Sequence, residues 1–79
     1  MRIANDTSFG LSGAIFTANV ERANSLASQV VMGSVWINTS SFTGQELPFG
    51  GVKRSGYSRE LAGAGIKELV NQKMVLVAY

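Results

Sequence analysis

Apolar and polar positions change rhythm several times along this chain, and each change marks an element. Ser12-Gly-Ala-Ile-Phe-Thr17 closes on aromatic and β-branched side chains and predicts a short strand. Val20, Ala23, Leu26, Ala27, Val30 and Val31 then recur at three- and four-residue steps, the spacing of one helical face. Asn19 stands where such a helix takes its N-cap, Glu21 falls in the first turn, and Met32-Gly33 marks the stop. Ser34-Val-Trp-Ile-Asn38 predicts a second strand. Strand, helix and strand within about 30 residues make a βαβ unit, whose strands run parallel.

The flanking segments have no such regularity. Met1 to Ala4 has helical composition with no cap before it, and Asn5-Asp-Thr-Ser8 has turn chemistry. Thr39 to Tyr57 predicts a loop. Ser58 is placed to cap a short helical stretch through Ala62. A break follows at Gly63 and Gly65, each of which costs a helix interior about 1 kcal/mol. A last helical turn is expected over Ile66 to Val70. Lys73 to Tyr79 predicts a strand, but one apolar on both faces, which needs cover on each side or a neighbouring sheet to join. The fold class is α/β.

Composition sharpens that last point. A chain of 79 residues makes one small domain at most, and one that size buries only about 60–65% of its unfolded surface. Charged residues make up 15%, against about 25% in ordinary soluble domains, so part of this surface is expected to be covered. The chain has neither cysteine nor histidine. Disulfides, thiolate metal sites and nucleophilic catalysis of the Ser-His or Cys-His kind are therefore excluded. The five carboxylates, Asp6, Glu21, Glu46, Glu60 and Glu68, are scattered and suggest no metal site. A net charge of +2, clustered locally only at Lys53, Arg54 and Arg59, gives no case for a nucleic-acid partner. No apolar run approaches the roughly 20 residues of a membrane span, and a cytoplasmic location is expected.

The chemistry, if any, lies in Glu46-Leu-Pro-Phe-Gly-Gly-Val-Lys-Arg-Ser-Gly-Tyr-Ser-Arg-Glu60. One proline, three glycines and alternating charges without periodicity build a shaped loop rather than a core. It is not a phosphate-cradling P-loop: Gly51 and Gly56 have the spacing, but Tyr57 sits where the lysine is required. Lys53 and Arg59 are expected to pair with Glu60 or with backbone carbonyls. Trp36, on a strand, is a core residue by this reading. Phe49, between a proline and two glycines, suits either core packing or a pocket wall.

The loop resembles the Pro-Phe-Gly-Gly-x-Lys-x-Ser-Gly-x-x-Arg-Glu signature of the aldehyde dehydrogenase superfamily. Asn5-Asp-Thr-Ser-Phe-Gly-Leu-Ser12 with Ile15-Phe-Thr17, and Gly33-Ser-Val-Trp-Ile-Asn38, are similar to two further passages of that family in the same order. Among its members the bacterial succinate-semialdehyde dehydrogenases are most similar. The resemblance implies a C-terminal segment: residues 1–72 from the catalytic domain (βαβ unit, signature loop, short helices) and residues 73–79 as an oligomerisation strand. It implies an NAD- or NADP-dependent parent enzyme that oxidises a small aldehyde, succinate semialdehyde, to its acid. The nucleophilic cysteine, general base and cofactor domain would lie in the remainder of that chain, so this chain alone would bind no cofactor and be inactive. Thr43 and Phe49 would contact substrate, Thr43 through its hydroxyl and Phe49 as an aromatic tunnel wall, with no catalytic residue present. Ser58 stands where the family uses glycine, which implies a less strained backbone there. The partners implied are the rest of the enzyme and further copies, as a dimer or tetramer. Two other readings stay open: a non-catalytic assembly module, and a small basic phosphate-binding module.

Overall fold

Two strands and the helix between them form the expected βαβ unit in the computed structural model, which describes all residues from Met1 to Tyr79. Strand β2 (Ser12–Ile15) pairs in parallel with β3 (Ser34–Ile37), with Ser12 opposite Ser34 and Ile15 opposite Ile37. Helix α2 (Val20–Ala27) connects them. Its N-terminus is capped as predicted: Asn19 Oδ1 accepts the Arg22 amide at 2.9 Å. The helix stops at Ala27 rather than near Met32, because side chains take over its last bonds. Ser28 Oγ and Gln29 Nε2 both donate to the Ser25 carbonyl. Asn5 then accepts the Val31 amide and donates to the Gln29 carbonyl, drawing the chain out of helix and toward β3.

A second, antiparallel pair was not predicted. Strand β1 (Phe9–Gly10) pairs with β4 (Val52–Lys53), folding the glycine-rich loop back onto the N-terminal turn that follows α1 (Arg2–Asn5). Two residues per strand are too few for a periodicity to show. Side chains complete the joint: the Gly10 amide donates to Ser55 Oγ at 2.9 Å, and Lys53 Nζ donates to the carbonyls of Asn5 and Thr7. Gly33 lies against the same joint so closely that a Cβ there would overlap the Gly50 carbonyl.

The C-terminal third corrects the sequence reading in three places. Ser58 caps no helix; it is left-handed at φ 72°, and Glu60 bridges to Phe49 instead. Helix α3 (Ala62–Glu68) runs unbroken through both Gly63 and Gly65. Gly65 is tolerated because it lies against the backbone of Glu60, where a Cβ would stand 2.8 Å from the carbonyl carbon. The Ser58 backbone is also more strained than the resemblance implied, since a serine has taken on a conformation glycine adopts freely. Residues 71–79, which include the expected closing strand, make no backbone hydrogen bond and hold no regular element.

Burial is slight. Ala23 is the one apolar side chain fully out of solvent. The accessible surface is 6454 Å², whereas a compacted 8.4 kDa chain exposes about 4,600 Å². The radius of gyration, 16.6 Å, likewise exceeds the roughly 12 Å of a globule this long. Much of the excess is apolar tail: Leu76 is 82% exposed and Val75 76%.

Candidate functional site

Strand β3 ends in a turn that builds the site. Asn38, left-handed at φ 58°, sends its Oδ1 back to accept the Thr17 amide at 2.8 Å, which pins the end of β3 to the segment after β2. The chain then crosses in front of β3, so that Phe42 packs against Trp36 with ring centroids 4.4 Å apart and planes inclined by 42°. A turn closed by the Leu47 amide on the Gly44 carbonyl brings Pro48 and Phe49 back toward the same strand.

Between β3 and this loop lies a cavity of about 270 Å³. Thr43 and Phe49, which sequence reasoning singled out separately, both line it, with Trp36, Phe42, Leu47, Pro48 and the β3 residues Ser34 and Val35. Trp36 is therefore a pocket wall, not only a core residue. The missed signal was strand alternation, which puts Ser34 and Trp36 on one face of β3, opposite the Phe42 ring. The lining contains no ionisable side chain. Such a cavity orders and desolvates an organic group but moves no proton. Its polar groups are the Thr43 hydroxyl, exposed at the rim, and two buried atoms without a partner, Ser34 Oγ and Trp36 Nε1.

Phe49 is held from behind. Its amide donates to the Glu60 carbonyl at 2.9 Å and its carbonyl accepts the Glu60 amide at 2.8 Å. Next to that bridge, Arg59 Nη1 donates to the carbonyls of Gly51 and Ser58. Lys53 and Arg59 thus brace backbone carbonyls, one of the two roles the sequence allowed. A more open groove of about 870 Å³ runs past Lys53, Arg54, Tyr57 and Arg59. With Lys53 and Arg59 committed to carbonyls, it is no ready cradle for phosphate.

The model of the aldehyde dehydrogenase family matches residues 1–75. This chain belongs to the aldehyde dehydrogenase family. Over 73 residues it is 47% identical to the succinate-semialdehyde dehydrogenase [NADP(+)] of Deinococcus radiodurans, a match covering 92% of this chain and 15% of that protein. It is 43% identical over 75 residues to the chloroplastic betaine aldehyde dehydrogenase of Atriplex hortensis, covering 95% and 15%. Among solved structures, the succinic semialdehyde dehydrogenase of Streptococcus pyogenes in complex with NADP+ superposes with a TM-score of 0.91 at 40% identity, over 99% of this chain and 17% of that one. The chain spans about one-sixth of the length of these relatives.

Proposed function

We propose that this chain supplies the C-terminal part of an NAD(P)-dependent aldehyde dehydrogenase that oxidises succinate semialdehyde to its acid. The convergence of Thr43 and Phe49 on one apolar cavity carries the reading. In a chain related to succinate-semialdehyde dehydrogenases, that cavity suits the part of the substrate away from the reacting carbonyl. The Phe49, Trp36 and Phe42 rings exclude water from the methylenes, and the Thr43 hydroxyl donates a hydrogen bond to the distal carboxylate. The main charge pairing then falls to cations elsewhere in the enzyme, since none lines this cavity.

The chemistry of oxidation lies outside these residues. A thiolate nucleophile is impossible without cysteine, and the residues near the glycine-rich loop do not fit a dinucleotide. The parent enzyme's remainder would hold NAD or NADP, which accepts the hydride. The apolar tail would serve as a strand added to a sheet of another copy, giving a homo-oligomer.

A chimera tests the reading: this chain replaces the matching segment of the Deinococcus radiodurans enzyme, and oxidation of succinate semialdehyde with NADP+ is followed. The chimera is expected to be active. Thr43→Val should raise KM for succinate semialdehyde about tenfold, the loss of one hydrogen bond to a charged group, and leave KM for butanal unchanged. A folded chimera without this activity, or a Thr43→Val variant that weakens both aldehydes equally, overturns the reading.

A further inference from the structure

We infer that Leu61 is a positioning residue for the cavity wall, acting through the backbone on either side of it. The inference rests on the substrate role proposed for Thr43 and Phe49. Leu61 has φ 66° and ψ 168°, a region occupied almost entirely by glycine, and Ala62 follows at φ 52°. Leucine keeps such a conformation only where its surroundings over-determine it. Here they do so from both sides. Glu60, before it, exchanges both backbone hydrogen bonds with Phe49. Ala62, after it, donates its amide to the Gln45 carbonyl at 2.9 Å, and the Leu61 carbonyl accepts the Gly65 amide at 2.8 Å at the start of α3.

These bonds reach both limbs of the loop that forms the cavity. Gln45 is two residues beyond Thr43, and Phe49 is itself a wall. The turn at Leu61 sets the offset between the Phe49 bridge and the Gln45 bond, and so the gap between Thr43 and Phe49. Leucine can leave this narrow conformation only for a distant one that would break the Phe49 and Gln45 bonds, so the offset stays fixed while they hold. A glycine would relieve the strain and free the offset.

The test compares Leu61→Ala with Leu61→Gly in the full-length chimera, since both remove the side chain and only glycine relieves the backbone. Leu61→Gly should melt higher than Leu61→Ala, the reverse of the ordinary order of these residues. Amide exchange at Phe49 and Ala62 should be about tenfold faster in Leu61→Gly than in Leu61→Ala, as a loosened bridge requires. KM for succinate semialdehyde should rise about tenfold in Leu61→Gly, and KM for butanal, which meets the Phe49 wall but not the Thr43 hydroxyl, by a smaller factor, with kcat unchanged. If the alanine variant melts higher, or the two variants exchange alike, the inference fails, and both readings need no activity. If the unsubstituted chimera itself does not oxidise succinate semialdehyde, the substrate assignment fails and the exchange comparison still decides the role of Leu61. Equal KM values in an active chimera overturn the positioning role alone.

Discussion

Residues 1–70 and residues 71–79 are both rich in apolar side chains, yet they stand in opposite conditions. The first stretch knots itself: β1 pairs with β4, β2 with β3, Lys53 ties the loop to the N-terminal turn and Glu60 ties it to Phe49. The second makes no backbone bond and leaves Val75 and Leu76 mostly in solvent. The contrast separates two uses of hydrophobicity. In the knotted part, small residues let backbones meet, and order comes from hydrogen bonds and close approach more than from a buried core. In the tail, apolar side chains stand in solvent on a backbone that no hydrogen bond holds.

Gly33 breaks the knot most severely. Its missing Cβ makes room for the Gly50 carbonyl, and neither backbone can yield without parting β3 from the glycine-rich loop. Gly33→Ala should destabilise the chain by about 3 kcal/mol in denaturant titration. Gly63→Ala is the matched control, in a helix position where a Cβ meets nothing within 4 Å. It should stabilise by about 1 kcal/mol. Equal effects at the two sites would show that close backbone approach does not hold the fold.

How much of this was legible follows from where each signal resides. The βαβ unit was visible because its cues are local: Asn19 as cap, a helical face from Val20, and two short β-rich runs. The β1–β4 pair joins residues more than forty positions apart through two-residue strands, with no periodicity to betray it. The α3 glycines misled for a related reason. Propensity weighed Gly65 as a breaker, while the packing of α3 on Glu60 demands that no Cβ be present. At the candidate site, the resemblance pointed to Thr43 and Phe49 one by one, but their sharing one cavity with Trp36 required the loop's path in space.

The tail can be broken without touching the knot. Leu76→Asp changes a side chain that is 82% exposed, so unfolding stability should move by no more than about 0.5 kcal/mol. If Lys73 to Tyr79 pairs with a second copy, the same change should shift the chain from associated species to monomer in sedimentation velocity, because a buried carboxylate would face the added sheet. An unchanged sedimentation profile would remove the oligomerisation role from the tail.

The effect expected at Ser58 is small but has the clearest sign. Ser58 sits at φ 72° with its side chain exposed and engaged in no hydrogen bond, so its hydroxyl contributes nothing that offsets the backbone conformation. Its carbonyl, which accepts Arg59 Nη1 at 2.8 Å, survives any substitution. A left-handed L-residue costs about 1–2 kcal/mol, while glycine returns part of that gain through the extra freedom of the unfolded chain. Ser58→Gly should therefore stabilise by about 0.5–1 kcal/mol, and Ser58→Ala, which keeps the Cβ, should not. The opposite order in denaturant midpoints would mean that Ser58 is not left-handed in solution. The brace from Arg59 to Gly51 would then need a different geometry, since the Ser58 carbonyl that shares it would point elsewhere.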